Sequence, residues 1–248
     1  MSPSTTPTST PTPVASRGPV SRWAGDVAGP SPEATASRGV PGSGVRGLAA
    51  AMVAGPIAMT AWFLVEPAVL PREEPTVFLA SVAAAPGRYL LATAFLTLAG
   101  ALAIPAALGV GRLLRPRMPR LAALLVVTMS LSGLGLWAQA GFRSFVVSMV
   151  LDGTVPASAV ESYTAFQQNG LFAALVVPAL ALGAVSTVVW IGALVRTRLA
   201  PLWVPAALLV GAVLASGEFP DAVTIGGAAL TAGANVALAG ILLRSARA

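Results

Sequence analysis

Residues 89–111 read YLLATAFLTLAGALAIPAALGVG, a stretch of 23 residues without a charged side chain. A helix needs about 20 mostly apolar residues to cross the hydrocarbon core of a bilayer, which is roughly 30 Å thick. This stretch therefore predicts a membrane-spanning helix. Five other charge-free stretches of similar or greater length follow Arg46, namely 47–65, 121–142, 162–195, 199–217 and 222–243.

The longest of these stretches, 162–195, raises the question of one span or two. It begins with a polar part that contains Gln167, Gln168 and Asn169 in a row, which is too polar for lipid. We expect one span from about residue 170. The sequence thus predicts an all-α membrane protein with six transmembrane helices in a domain of residues 47–248. The predicted spans are about 47–66, 88–111, 121–142, 170–195, 200–217 and 222–243.

The composition supports this fold class and excludes several kinds of chemistry. The chain has 248 residues, 56% of them hydrophobic and 10% charged, whereas soluble domains average roughly 45–50% apolar and about 25% charged residues. Cys and His are both absent, which excludes disulfides, Cys/His zinc sites, His-ligated haem and catalytic triads that need an imidazole. We therefore expect no cofactor, no metal site and no catalytic residue, and an enzyme is disfavoured.

The charged residues predict the orientation in the membrane. All 15 basic residues are arginine, and the net charge is +6. Arginine without any acid marks the loops after spans two and four and the C-terminus: Arg112, Arg115, Arg117, Arg120, Arg196, Arg198, Arg244 and Arg247. The opposite loops are mainly acidic: Glu66, Arg72, Glu73, Glu74, Arg88, Arg143, Asp152, Glu161, Glu218 and Asp221. The positive-inside rule then places both termini in the cytoplasm, with the protein in the plasma membrane. Because no run of five basic residues occurs, orientation explains the charge better than nucleic-acid binding does.

Residues 1–46 form a separate segment rich in Pro, Ser, Thr and Gly, without a sustained apolar run. Such a composition cannot bury enough surface to offset its ordering entropy, so we expect a disordered cytoplasmic tail. Three interpretations stay open for it: a functional tail for a partner or for Ser/Thr modification, an inert solvated tail, and a start codon assigned too far upstream. The inert tail and the misassigned start codon, taken together, are favoured over a functional tail.

The sequences of two predicted outer loops each indicate a short helix. The apolar stretch 75–87 carries Pro at its start and Pro-Gly at its end, which favours a helix lying in the membrane interface. The second helix runs towards residue 169, with Val160, Tyr163 and Phe166 on a face expected to rest on the membrane surface. An aromatic belt is expected from Trp62, Tyr89, Trp137, Trp190 and Trp203.

Close helix packing is expected where small residues repeat at intervals of four, because backbones approach closely there. The repeats are Ala99, Ala103 and Ala107; Ala207, Gly211 and Ala215; and Ala229, Gly233 and Ala237.

Four polar residues at or inside the spans are the candidate site, because polar groups in a membrane are the usual functional candidates. They are Glu66, Gln139, Arg143 and Asn235. One hypothesis joins them in a polar pocket that opens to the outside. The alternative, which we favour, has Glu66 and Arg143 as solvated interfacial charges, with their pairing left open, and Asn235 in an interhelical hydrogen bond. Either way, Asn235 and Thr231 lie one helical turn apart and predict a polar stripe that points into the bundle.

The run Ala85-Pro86-Gly87-Arg88 and the segment IPAALGVGRLLRPRMPRLA at 104–122 resemble uncharacterised six-span membrane proteins of high-GC actinobacteria. The resemblance covers about residues 48–243 and implies no catalytic residue. Three function classes remain. A non-catalytic binding or accessory membrane subunit is favoured, a small permease or substrate-capture subunit of a transporter is second, and an enzyme is third. Expected partners are the lipid bilayer and either another membrane protein or a second copy of the chain.

Overall fold

In the computed structural model the described residues, 43–66, 74–168, 170–216 and 219–247, form eight α-helices and no strand. In chain order they are α1 (Ser43–Val65), α2 (Pro75–Ala84), α3 (Pro86–Leu114), α4 (Pro119–Ser148), α5 (Ala157–Gln168), α6 (Leu171–Thr197), α7 (Trp203–Ser216) and α8 (Asp221–Ser245). Contacts divide the chain into two units, Met1–Gly39 and Val40–Ala248, and all these helices belong to the second. The predicted disordered tail lies outside the described residues, except for residues 43–46, which already belong to α1.

Five of the described helices, α1, α3, α4, α6 and α8, are long and apolar enough to cross a membrane. The fifth predicted span, 200–217, corresponds to α7, which has only 14 residues. At a rise of 1.5 Å per residue α7 is about 21 Å long, shorter than the hydrocarbon core. The fold is therefore all-helical with five candidate spans, and α7 is a shorter apolar helix packed among them.

The helices extend beyond the charge-free stretches that predict them. Helix α1 begins before Arg46, whose side chain is exposed, and α4 continues through Arg143 to Ser148. A long arginine side chain can keep its charge in water or pair it while the backbone stays helical, so a charge does not end a helix. Proline does mark the helix starts: Pro75, Pro86 and Pro119 occupy the first turns of α2, α3 and α4, where no N–H is needed.

The bundle has two chemically different ends. One apolar cluster unites Val45, Leu114, Ala122, Leu194 and Leu242. These residues bring together the start of α1, the ends of α3, α6 and α8, and the start of α4. We call this the arginine-rich end, because it carries Arg46, Arg112, Arg115, Arg117, Arg120, Arg196, Arg198, Arg244 and Arg247. The opposite, acidic end carries Glu66, Glu74, Asp152, Glu161 and Asp221.

Glycines allow the closest contacts between helices. A Cβ atom at Gly227 of α8 would lie 2.6 Å from Leu214 Cβ and 2.9 Å from the backbone of Ala215 and Gly211, all on α7. On α3, a Cβ atom at Gly100 would lie 2.6 Å from the Trp137 ring and 3.0 Å from the Gly133 carbonyl oxygen, both on α4. The prediction that Ala229, Gly233 and Ala237 form the close-packing face of α8 is wrong, because the space at the Cβ position of Gly233 is open. The face of α8 that contains Gly227 makes the contact instead.

Much of the apolar surface of the long helices faces outward. Leu124, Val127, Val185 and Val188 are each more than half exposed, which suits lipid rather than water as the surroundings. The hydroxyls of Thr128, Ser186, Thr187 and Thr231 donate to carbonyls one turn back in their own helices, as expected for Ser and Thr in membrane helices. One of them also links helices, since Ser186 Oγ donates to Thr128 Oγ1 at 2.7 Å.

The two short outer helices pack on protein at the acidic end. Phe78 and Val82 of α2 and Tyr163 of α5 are buried in one cluster with the start of α3 and the end of α4. The prediction that Tyr163 rests on the membrane surface is therefore wrong, because an aromatic ring buries more area between two protein helices than at an interface. The aromatic belt is also incomplete: Trp137 and Trp203 are exposed, whereas Tyr89 and Trp190 are buried.

Candidate functional site

An ion pair joins α1 and α4 at the acidic end. Arg143 Nη2 contacts Glu66 Oε1, and the two side chains are 5% and 18% exposed. The pair combines two of the four predicted site residues, as both hypotheses allowed. The expectation of a solvated charge is wrong for Arg143, because its side chain is buried between packed helices.

Aromatic rings complete the surroundings of the Arg143 guanidinium. Its central carbon lies 4.7 Å from the centre of the Tyr89 ring and 5.5 Å from the centre of the Trp62 ring. Cation–π attraction at such distances is worth about 2 kcal/mol or more in a desolvated setting. The sequence analysis assigned Trp62 and Tyr89 to the aromatic belt, and no spacing pattern connects them with Arg143.

A second arginine closes the end of α1 beside this pair. Arg88 at the start of α3 donates through Nε to the Val65 carbonyl at 2.7 Å and through Nη2 to the Glu66 carbonyl at 3.3 Å. The last carbonyls of a helix have no partner within it, and a cationic donor also suits the negative end of the helix dipole. Arg88 thus orders the helix end that presents Glu66 to Arg143.

Three buried polar atoms around the pair have no hydrogen-bond partner among the described residues: Trp62 Nε1, Glu66 Oε2 and Arg143 Nε. Two of them are donors and one is an acceptor. A single water molecule or hydroxyl can accept from an N–H and donate to a carboxylate, so the chemistry of this set suits one small polar group. Its polarity contrasts with the apolar walls around it.

An aromatic stack covers the pair from the outside. The Tyr163 ring stacks on Phe78 at 5.3 Å and on Phe142 at 6.0 Å, and Phe142 stacks on Phe166 at 4.3 Å. Burial raises the pKa of Tyr163, against the opposing effects of a hydrogen bond with Gln167 and of the Arg143 charge. Tyr163 therefore stays neutral at physiological pH, and the stack limits the access of water to Arg143.

A central cavity of about 430 Å³ lies deeper in the bundle. Residues of α1, α3, α4, α6, α7 and α8 all contribute to its wall. Representative residues from these six helices, in chain order, are Met59, Ala103, Leu136, Leu180, Ala212 and Asn235. Pro56 also lines it, within α1. Most of the wall is apolar. Ala99, Ala103 and Ala215, which the sequence analysis placed in packing repeats, line the cavity, and no sequence pattern pointed to the methionines.

The polar groups of this cavity come mainly from α8. Asn235 and Thr231 both line it, so the stripe expected from their spacing does point into the bundle. Asn235 Nδ2 donates to the Thr231 carbonyl at 2.9 Å. The expected interhelical bond is thus replaced by one within α8. Ser132 of α4 and Thr187 of α6 add hydroxyls to the wall.

The four predicted site residues are therefore not one pocket. Glu66 and Arg143 form the ion pair, while Asn235 lines the central cavity without either of them. Gln139 is partly buried one turn before Arg143 on α4, outside the residues that line the cavity. The two sites are stacked along the bundle, because Phe63 lines the cavity one turn before Glu66 on α1.

No group of three or more His, Cys, Asp or Glu that could hold a metal occurs within the described ranges. Comparison with protein-family models, with curated proteins and with solved structures finds no match to this chain. Its helices and their apolar surface place the chain in the membrane-helical class of proteins.

Proposed function

We propose that this chain is a non-catalytic membrane subunit that binds a small, mainly apolar molecule in its central cavity. The observation that carries the proposal is the cavity itself, to whose wall six helices contribute and which holds one carboxamide among mainly apolar side chains. Ligand sites in proteins combine such walls with a few polar groups that orient the ligand. A volume of about 430 Å³ is within the range of roughly 300–1,000 Å³ that such sites have.

The walls also define the class of ligand. No charged residue is present among the described residues that line the cavity, so a charged ligand would be buried without a partner, at a high cost in free energy. Asn235 carries both donors and an acceptor. A neutral ligand with one hydroxyl or carbonyl on an apolar body fits best, and it reaches such a cavity from the bilayer.

The first test is thermal stabilisation of the purified protein by neutral aromatic alcohols and quinones. A ligand at 100 times its Kd stabilises a protein by about 2.7 kcal/mol. Asn235→Leu should weaken binding between about three-fold and ten-fold, the equivalent of one hydrogen bond. Gln139→Leu is the matched control, because it removes a similar amide outside the cavity. Equal losses in both variants would contradict the assignment.

A variant that fills the cavity tests where the ligand binds, independently of its hydrogen bond with Asn235. We expect Ala212→Phe to abolish the stabilisation, since Ala212 lines the cavity. Ala206→Phe makes the same change on an exposed face of α7 and should leave it intact. Binding that survives in Ala212→Phe would place the ligand elsewhere.

A small permease is the second candidate, and one observation favours it. The cavity lies between the Glu66–Arg143 pair, which is one helical turn from the lining residue Phe63, and the apolar cluster of the arginine-rich end, which includes the lining residue Trp190. Transporters often bind their substrate near the middle of the bilayer, between the two ends of the bundle. Flux of a bound ligand across proteoliposomes that contain only this protein would favour the permease, and binding without flux the subunit.

The topology proposed with this function has six crossings and both termini in the cytoplasm. Helix α7 starts at the arginine-rich end, where Val204 belongs to the apolar cluster, and it runs antiparallel along α8. Since α8 begins at the acidic end with Asp221, the chain between Arg198 and Asp221 connects the two ends. The arginines at one end support a cytoplasmic location for that end.

Reporter fusions test this topology. Fusions after Arg117 and Arg198 should report the cytoplasm, and fusions after Asp152 the outside of the plasma membrane. The proposed chain crosses the membrane twice between Arg117 and Arg198. If the fusion after Arg198 reported the outside while the fusion after Arg117 reported the cytoplasm, the number of crossings between them would be odd.

A further inference from the structure

A groove on the outer surface of the bundle is separate from both sites described above. It encloses about 780 Å³ between α1 and α8, with a contribution from α3. Its wall is apolar and built from small and branched side chains, among them Ala50, Ala54, Ile57, Leu98 and Val236. Several of these side chains are exposed, so the groove opens towards the surrounding bilayer. We call it the α1–α8 groove.

One end of the α1–α8 groove is positively charged. Arg46 is the one charged residue among the described residues that line it, and its side chain is exposed. Arg244 follows Leu243, another lining residue, at the same end of the bundle. The neighbours Val45 and Leu242 belong to one apolar cluster, which keeps the two arginine-bearing helix ends together.

The length of the groove suits a lipid chain. Its lining residues on α1 run from Arg46 to Ala61, which corresponds to about 22 Å at 1.5 Å per residue. One leaflet of the hydrocarbon core is roughly 15 Å thick, half of the full core. An acyl chain that begins at the level of Arg46 therefore lies within the apolar part of the groove along its whole length.

We propose that the α1–α8 groove binds an anionic glycerophospholipid, with one acyl chain along α1 and α8 and the phosphate paired with Arg46. Basic sites between helices at a membrane surface are typical of anionic headgroup binding. A second copy of the chain fits less well, because a two-fold axis along the membrane normal brings a second Arg46, not an anion, to the level of Arg46. A lipid phosphate neutralises the charge of Arg46 at that level.

Native mass spectrometry of the purified, delipidated full-length protein tests whether the groove recognises the negative charge of the lipid headgroup. Phosphatidylglycerol should form an adduct at lower concentration than phosphatidylcholine, and water-soluble glycerol phosphate should form none. Arg46→Gln should weaken phosphatidylglycerol binding about five-fold, the effect of one cationic residue near a membrane surface. Arg46→Lys should retain most of the binding, and Arg117→Gln, which changes an exposed arginine outside the groove, should retain all of it.

A variant that fills the groove tests whether the acyl chain binds there. Ala50→Trp places a large ring in the groove at an exposed position and should abolish the adduct. Ala123→Trp, the same change at an exposed position of α4, should preserve it. Equal binding of both lipids, unchanged binding in Arg46→Gln or Ala50→Trp, or a dimer that Ala50→Trp dissociates would each overturn the proposal.

Discussion

Replacing Arg143 with leucine should destabilise the protein by about 3 kcal/mol, because the loss of one partner leaves the other charge of a buried pair uncompensated. The carboxylate of Glu66 is only 18% exposed, and its second oxygen already has no partner among the described residues. The variant also loses the contacts of the guanidinium with the rings of Trp62 and Tyr89. Thermal unfolding in detergent, followed by circular dichroism, measures the effect.

Two further variants separate the ion pair from the packing around it. The double variant Arg143→Met with Glu66→Met should be more stable than Arg143→Leu, since two apolar side chains can replace a buried ion pair at little cost. Arg143→Lys keeps the charge but loses the planar stacking, so it should lie between Arg143→Leu and the unchanged protein. Arg117→Leu is the control at an exposed site. If Arg143→Leu unfolded at the same temperature as the unchanged protein, the pair would have no structural role.

Replacing Gly227 with alanine should destabilise the bundle by about 1–3 kcal/mol, the usual effect of overpacking. The new Cβ atom would meet Leu214 Cβ at 2.6 Å and the Gly211 carbonyl oxygen at 2.9 Å. Backbone atoms cannot rotate away, so α7 and α8 must separate. Thr231, which lines the central cavity on the same helix, would move with them, and ligand binding should weaken as well.

The neighbouring residue provides the matched control for this variant. A Cβ atom at Gly226 would meet no described atom outside its own helix turn within 4 Å. Gly226→Ala should therefore stabilise α8 slightly, because alanine favours a helix over glycine by about 1 kcal/mol. Opposite signs for the two variants, measured by thermal unfolding, are the expected result. Equal effects would show that α7 and α8 do not approach as closely as described.

The candidate site could be predicted only in its components. Glu66, Arg143 and Asn235 stand out in the sequence because polar residues are rare in membrane spans. Their grouping depends on which faces of separate helices meet. The spacing of Thr231 and Asn235 lies within one helix, and for that reason their shared direction was predictable. The partners of Arg143 come from α1 and α3, and no local spacing relates those residues to α4.

The helical membrane class, the approximate positions of the long helices and the separation of arginine from acidic residues follow from the sequence without knowledge of the fold. These properties depend on length, hydropathy and charge summed along one segment, and the bilayer acts on each segment separately. The tertiary structure decided that α7 is shorter than the other apolar spans, that Arg143 is buried against Glu66, and that Asn235 faces the central cavity. These features arise from contacts between residues far apart in the chain, because the energy of packing and of ion pairing depends on distances in space that no stretch of sequence specifies alone.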